Sequence, residues 1–251
     1  GYYYYFNNKL PNNIDEYTIN KINRVNKIYY INLERNKDRN NNMIEILNNF
    51  NIDYEKMEGL DGRKVNNIKD DYFYSTKKIN YNSNAEYAVL YSHLSTIKQI
   101  SDKEGDYFLI FEDDCCLDFC KYWNESLDEI INGAPDDWEI IMLGYFTLNL
   151  KFESKYRLWN NDWSALSYII KKSSIFKIDE YIIDKKFKLY EDVNVADNYL
   201  FRIFKTYLYK YPLFTITNNN KSTFHNDHDQ YQKIYKNINY LILNELIDKY
   251  F

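Results

Sequence analysis

One stretch of the sequence constrains the fold more than any other: five apolar or aromatic residues, 107–111, are followed at once by three carboxylates. The carboxylates are Glu112, Asp113 and Asp114. An unbroken apolar run of this length is typical of a strand buried on both faces, as in a parallel sheet covered by helices. Adjacent carboxylates repel one another, and a divalent cation relieves that repulsion. The stretch therefore predicts either a metal site at the end of a central strand or an acidic turn after it.

Strand-like and helix-like segments alternate along the chain, which predicts an α/β fold with a mostly parallel sheet flanked by helices. The first core strand is expected over residues 27–33, and later buried strands over 138–143 and 166–170. Between the first strand and the next, Asn36 is expected to cap a helix with Met43 on its buried face.

Asn84 is expected to cap a second helix, with Val89, His93 and Ile97 on one apolar face. Because His93 shares this face, the pattern favours a hydrogen-bonded core histidine over a catalytic one. The polar residues from 64 to 82 predict a surface loop.

The length of 251 residues suits one large domain with small appendages. We expect a lead-in segment over 1–26, a single domain over 27–229 and a C-terminal helix over 230–251 that packs on it. The net charge of −5 argues against a nucleic-acid-binding surface. No apolar run reaches membrane-spanning length. The sequence leaves the oligomeric state open.

The three cysteines, Cys115, Cys116 and Cys120, lie close together, which argues against a disulfide framework. This usage favours a reducing, cytoplasmic compartment. The chain begins with Gly1 rather than Met, so a preceding segment of the native protein is also consistent with the sequence.

Two basic residues follow the first strand, and in a doubly wound sheet they would reach the same edge as the acids. Arg35 and Arg39 can bind phosphate in a bidentate way, and a carboxylate-held metal ion binds it too. Taken singly, each arginine is better explained as a solvated helix start paired with Glu34 or Asp38. Taken with the acids, the set favours a diphosphate site.

Four ordered blocks of this sequence resemble glycosyltransferase family 25, which includes lipooligosaccharide galactosyltransferases and collagen hydroxylysine galactosyltransferases. The blocks are Ile31-Asn32-Leu33-Glu34-Arg35 with Asp38-Arg39, then Asp61-Gly62, Ser92-His93 and Phe111-Glu112-Asp113-Asp114. A later block, residues 195–200, resembles the family's proline-valine-aspartate block, with Ala196 where proline is usual. The resemblance extends over roughly residues 27–225.

The resemblance implies a GT-A type, Rossmann-like fold and a metal-dependent, inverting glycosyltransferase. A hexose, galactose or glucose, would move from a UDP-sugar to a hydroxyl of a glycan or a protein, hydroxylysine included. The partners would thus be a nucleotide-sugar donor and a glycan or protein acceptor, and the cofactor Mn²⁺, with Mg²⁺ as an alternative. A catalytically inactive nucleotide-sugar-binding or glycan-binding module with the same fold is the competing hypothesis.

Three residues are candidate metal ligands under this resemblance: Asp114 first, then Glu112, and His225 from a late loop. A carboxylate and diphosphate oxygens suit Mn²⁺ or Mg²⁺, and an imidazole favours Mn²⁺. Glu112 could instead face the ribose, and Asp113 could be a second ligand or lie behind the first. For His225 the alternative is a surface histidine in a polar loop.

The remaining roles fall to residues at the same sheet edge. Candidate nucleotide contacts are Asn32, Leu33 and Arg35, with Asp61 near the ribose, Arg39 at the phosphate and Glu112 and Asp113 beside them. An inverting transfer needs a base for the acceptor hydroxyl. Asp197 is the first choice and Asp192 the second, although an acid there could simply stabilise a helix N-terminus.

Two aromatic residues are candidate platforms for the acceptor, Tyr145 and Trp163. Since aromatic residues make up 19% of this chain, core packing is the default explanation for each.

Overall fold

The computed structural model describes residues 21–49, 52–75, 82–117, 119, 123–149, 151–190 and 195–216. The predicted terminal helix over 230–251 and residues 1–20 of the lead-in lie outside the described residues, and the domain boundaries remain predictions. In the described part, no helix is both long enough and apolar enough to cross a bilayer.

The described helices are α1 Lys37–Asn49, α2 Ile68–Tyr72, α3 Asn84–Ile100, α4 Leu127–Gly133 and α5 Ala196–Ile203, with a 3₁₀ segment over Lys172–Tyr181. The main strands are β1 Ile28–Asn32, β2 Tyr54–Glu58, β4 Tyr107–Glu112, β6 Ile140–Phe146, β7 Tyr156–Leu158, β8 Trp163–Lys171 and β11 Thr206–Tyr209. Short strands are β3 Phe73–Tyr74, β5 Cys115–Cys116, β9 Ile182–Ile183, β10 Lys186–Lys188 and β12 Thr215–Ile216.

The main strands form one seven-stranded sheet in the order β2-β1-β4-β8-β6-β11-β7. The pairs β2/β1, β1/β4 and β6/β11 are parallel, so these five strands share one direction. Strands β8 and β7 run the opposite way, because β8 pairs antiparallel with β4 and β6, and β7 with β11. The α/β fold with a mostly parallel sheet is therefore confirmed, with β8 as an antiparallel strand in its middle.

The sheet is buried on both faces, as the apolar run 107–111 predicts. Along β4, Phe108 and Ile110 join one apolar cluster with α3 and α5, whereas Leu109 and Phe111 join another with α1 and α4. Successive strand residues point to opposite faces, so a strand covered on both sides must be apolar throughout.

Helix α3 begins one residue earlier than a cap at Asn84 would place it, because its first helical residue is Asn84 itself. Ser83 is the cap: its hydroxyl accepts from Glu86 N, and the Glu86 carboxylate accepts from Ser83 N at 2.7 Å. Such a reciprocal pair satisfies two backbone donors that the helix leaves free. Asn84 instead donates to the carbonyls of Val65 and Asn66, so the prediction of an Asn84 cap was wrong.

The polar stretch over 64–82 is not simply a surface loop. It contains α2 and β3, and both Ile68 and Phe73 are buried against α3. Two anchoring residues in a polar stretch are too few to show a period, which is why the sequence pattern missed them.

Candidate active site

A cavity of about 910 Å³ opens at the carboxyl ends of β1, β2 and β4. Because β8 runs antiparallel, its first residue lies at this same edge, and Phe146 at the end of β6 pairs with Trp163 there. Helix α3 begins at the cavity, since Ser83 and Glu86 line it. The position agrees with the general rule that open α/β sheets bind ligands outside the carboxyl ends of their strands.

Two neighbouring carboxylates at the end of β4, Asp113 and Asp114, differ in how many hydrogen bonds they accept. Asp113 accepts hydrogen bonds from Arg39 Nη1 at 2.6 Å, Asn32 Nδ2 at 2.8 Å and Asn36 Nδ2 at 3.4 Å. Such a carboxylate has few lone pairs left for a ligand. Asp113 therefore anchors Arg39 at the cavity wall.

Asp114 is in the opposite situation. Its Oδ1 is buried and has no hydrogen-bond partner among the described residues, while Oδ2 lies 3.6 Å from Arg39 Nη1. Burial, and next the neighbouring charge of Glu112, raise the pKa of Asp114 to about 7. An unpaired buried carboxylate oxygen is costly unless something binds it, and the preferred occupant of such an oxygen is a hard cation.

Arg35 is held by the loop that follows β2. Its Nε donates to Asp61 Oδ2 at 2.8 Å, and Asp61 Oδ1 accepts from Arg63 N at 3.0 Å. Asp61 thus orients Arg35 beside the cavity. Gly62 packs against the start of α3, where an added Cβ would lie 3.0 Å from the Asn84 carbonyl oxygen. Only glycine lets the loop approach α3 so closely.

A hydrogen-bond chain runs from the core to Glu112. His93 is buried; its Nε2 lies 3.2 Å from Glu112 Oε1 and its Nδ1 lies 3.0 Å from the Tyr168 hydroxyl. An ionised Glu112 can only accept, so Nε2 carries the proton and the Tyr168 hydroxyl donates to Nδ1. Burial raises the pKa of Tyr168 well above its usual value, which keeps that proton on the phenol. His93 is the predicted core histidine, and it also fixes one oxygen of Glu112.

Asp197 lies at the start of α5 and lines the cavity. Its Oδ2 accepts from Ser164 N and its Oδ1 from Asn198 N, both at 2.8 Å. Burial raises the pKa of this carboxyl, whereas those two backbone donors lower it and the nearby charge of Glu112 raises it further. A carboxylate with a raised pKa is a stronger proton acceptor than an exposed aspartate.

The two candidate aromatic platforms differ in their surroundings. Tyr145 is only 1% exposed, and its hydroxyl donates to the carbonyls of Tyr209 and Lys210, so the default explanation of core packing holds for it and the platform role does not. Trp163 is 46% exposed, lines the cavity and stacks on Phe146 with ring centroids 5.3 Å apart.

Most of the residues predicted from the sequence meet in this cavity. Its walls include Leu33, Arg35, Arg39, Asp61, Glu112, Asp113, Asp114 and Asp197. Asn32 does not line it: the side chain is buried behind Asp113 and donates to it, which corrects the expectation of a nucleotide contact. Asp192 and His225 lie outside the described residues.

Sequence reasoning missed several residues that the cavity uses. Asn36, Glu86 and Phe146 line it, and Tyr168 supports it through His93. The Ser83-to-Glu86 spacing of a capping box could have identified Glu86 as an ordered helix start. Nothing local distinguishes Phe146 or Tyr168 from the many other aromatic residues of this chain.

Within the described ranges, no group of three or more His, Cys, Asp and Glu side chains has the arrangement of a metal site. The available protein oxygens are those of Asp114 and Glu112. Such a small set fits a cation that shares its coordination with a phosphate ligand, as Mg²⁺ does at nucleotide sites.

The sequence matches one protein-family model and individual relatives of known name. A sequence model of glycosyltransferase family 25, described as an LPS biosynthesis protein family, matches residues 25–242. Procollagen galactosyltransferase 2 of Mus musculus is 28% identical over 141 residues, and that of Homo sapiens 30% identical over 144. Each alignment covers 51% of this chain and 22% of the relative. The chain thus matches about a fifth of the length of these relatives.

Solved structures match at lower similarity. A Drosophila β-1,4-galactosyltransferase 7 mutant in complex with manganese, UDP-Gal and xylobiose gives a TM-score of 0.39 at 9% identity, covering 82% of this chain and 74% of that one. A glycosyltransferase involved in the glycosylation of the PBCV-1 major capsid gives 0.36 at 10%, covering 83% and 99%. Scores of this size describe partial overlap of two folds, and the residues above carry the functional assignment.

Proposed function

This chain belongs to glycosyltransferase family 25, and we propose that it is a metal-dependent glycosyltransferase. In this proposal it moves a hexose from a UDP-sugar to a hydroxyl of a glycan or protein, with inversion at the anomeric carbon. The observation that carries the proposal is the buried, unpartnered Oδ1 of Asp114, in a cavity that also contains two ordered arginines. Galactose and glucose are the donor sugars we favour, and the relatives named procollagen galactosyltransferase support galactose.

The donor diphosphate is proposed to bind beside Arg35 and Arg39. Each guanidinium is held by a carboxylate behind it, Asp61 for Arg35 and Asp113 for Arg39. A pre-positioned guanidinium loses little side-chain entropy when it binds an anion, so its binding energy is retained. Leu33 is proposed to contact the nucleoside, since it lines the cavity beside Arg35.

Asp114 and Glu112 are the residues proposed to hold Mn²⁺ or Mg²⁺, with His225 as a further ligand. The fit rests on the orphaned Asp114 oxygen and on Oε2 of Glu112, since Oε1 is the oxygen that accepts from His93. When bound, a divalent cation would neutralise the negative charge that develops on the departing diphosphate. Asp113 is not proposed as a ligand, because three hydrogen bonds already use most of its lone pairs.

Asp197 is proposed to take the proton from the acceptor hydroxyl. The acceptor oxygen then bonds to the anomeric carbon as the bond from that carbon to the phosphate oxygen breaks, and UDP leaves. A single displacement inverts the anomeric centre. Asp192 is the alternative base and lies outside the described residues.

The test compares binding and turnover in three variants. UDP titrated calorimetrically with Mn²⁺, and again with EDTA, should bind the wild type only with the metal. Asp114→Asn should abolish that metal-dependent binding, whereas Asp197→Asn should keep UDP affinity and stop transfer. Glu153→Gln, an exposed acid, is the matched control. Unchanged UDP affinity in Asp114→Asn would contradict the metal assignment.

One observation favours the second candidate, a binding module without activity. Both oxygens of Asp197 already accept backbone hydrogen bonds, as in a purely structural carboxylate. This alternative predicts metal-dependent UDP binding by the wild type together with no release of hexose from any UDP-hexose.

A further inference from the structure

Trp163 differs from the other aromatic residues at the cavity because one of its faces is open. It is the first residue of β8, it is 46% exposed, and its other face stacks on Phe146 at an interplanar angle of 17°. An exposed indole costs stability, since its apolar surface remains in water. A flat ring supported from behind is suited to stacking against a ligand.

The backbone on both sides of Trp163 is fixed by buried charged groups. Before it, Asp162 is 4% exposed and forms a two-pronged ion pair with Arg157, with N to O distances of 2.7 and 3.1 Å. After it, Ser164 N donates to Asp197 Oδ2 at 2.8 Å. The indole therefore sits between two anchors, and one of them is the proposed base.

Local backbone irregularities occur at the same point. Ser164 has a φ of 83°, in the left-handed region that is strained for a residue with a side chain. The β6/β8 ladder also shifts register between Gly144 and Phe146, immediately before the Phe146–Trp163 pair. Bulges and strained residues are concentrated at ligand sites, where they redirect a side chain.

The strand order separates this indole from the proposed phosphate site. Arg35 and Arg39 follow β1, Trp163 begins β8, and β4 with its acids lies between them. A donor bound through its phosphates at β1 would present its sugar towards β4, so the β8 side is left for the acceptor.

We propose that Trp163 is the acceptor platform and that it stacks on the apolar face of a sugar ring. The carboxylate of Asp197 lines the same cavity and accepts hydrogen bonds, which suits a ligand with hydroxyl donors around an apolar face. A peptide backbone fits less well, because its carbonyl oxygens would face this acid. The acceptor role of Trp163 rests on the proposed glycosyl transfer.

The experiment uses Trp163→Ala, Trp163→Phe and, as a control, Phe176→Ala, which removes an exposed aromatic ring on the 3₁₀ segment. Transfer from UDP-galactose and UDP-glucose is measured with methyl β-galactoside, methyl β-glucoside and hydroxylysine as acceptors, alongside hydrolysis of the donors by water. Trp163→Ala should raise KM for a methyl glycoside roughly tenfold, because it removes the ring that stacks on the sugar. Trp163→Phe should stay within about threefold, and the donor KM should be unchanged in both variants.

A second readout does not require turnover. The fluorescence of Trp163 is obtained by subtracting the emission of Trp163→Phe from that of the wild type. With UDP and Mn²⁺ present, a methyl glycoside should protect this fluorescence from quenching by acrylamide. An unchanged glycoside KM in Trp163→Ala overturns the platform, and so does an effect on hydroxylysine alone. Loss of UDP binding in Trp163→Ala overturns it too, by showing a structural role. If the wild type neither transfers nor hydrolyses, the proposed activity fails and the quenching result alone decides on the sugar site.

Discussion

Replacing Asp114 by asparagine should stabilise the metal-free protein at pH 8, although Asp114 is the proposed metal ligand. The carboxylate is buried beside Glu112, and its Oδ1 has no partner among the described residues. Burial first, and Glu112 second, raise its pKa from 3.8 to about 7. An asparagine has nearly the same shape and carries no charge to desolvate.

The magnitude follows from the pKa. Between pH 4 and pH 7 the folded protein holds a proton on Asp114 that the unfolded chain has released, so stability falls as the pH rises through this window. Each pKa unit is worth about 1.4 kcal/mol, so the charged form costs the folded state at most about 4 kcal/mol above pH 7. The amide must also be desolvated, and we expect a net gain of about 2 kcal/mol.

The assay is urea denaturation of wild type and Asp114→Asn in EDTA from pH 4 to pH 8. The unfolding free energy of the variant should be about 2 kcal/mol below that of the wild type near pH 4, where Asp114 is neutral, and about 2 kcal/mol above it at pH 8. Each difference corresponds to about 4–8 °C in Tm. Added Mn²⁺ with UDP should then stabilise the wild type and leave the variant unchanged, because ligand binding to the folded state alone raises stability.

Asp113→Asn is the matched control at the neighbouring position. Its carboxylate is paired with Arg39 and two asparagines, so the same substitution there should destabilise the protein by about 2–4 kcal/mol at pH 8. A loss of stability in Asp114→Asn of similar size at all pH values would refute the reasoning, since Asp114 would then be a satisfied structural carboxylate.

Three further changes test the supports of the cavity. His93→Gln should lower the free energy of unfolding, measured with urea, by about 1–3 kcal/mol and raise the UDP Kd, because it breaks the hydrogen bond to Glu112. An unchanged Kd would show that His93 does not support the binding site. Gly62→Ala should lower the free energy of unfolding by about 1–3 kcal/mol and weaken UDP binding, since its Cβ would meet backbone atoms of Asn84. A variant with the UDP affinity of the wild type would argue against a tight loop. Arg157→Ala should cost about 3–5 kcal/mol by leaving Asp162 buried and unpaired, and a loss under 1 kcal/mol would mean that the pair is solvated.

The sequence was informative where the signal is local. The apolar run before Glu112 identified a doubly buried strand because its residues must satisfy two covered faces at once. Arg35 and Arg39 were matched to the acids correctly because parallel strands end at the same edge. The capping residue of α3 was assigned to Asn84 instead of Ser83, since both residue types cap helices and only the reciprocal bond to Glu86 decides between them.

The sequence by itself determined the α/β class, the strand that ends in acids and several residues of the cavity wall, because each depends on periodicity or on short ordered motifs. Only the tertiary structure decided that Asp113 accepts three hydrogen bonds while Oδ1 of Asp114 has no partner among the described residues, because the partners of Asp113 lie more than 70 residues away in the chain. It also decided that β8 enters the sheet antiparallel, which brings Trp163 to the edge where the parallel strands end. Strand direction and side-chain pairing depend on contacts between distant segments, and those contacts leave no period in the sequence.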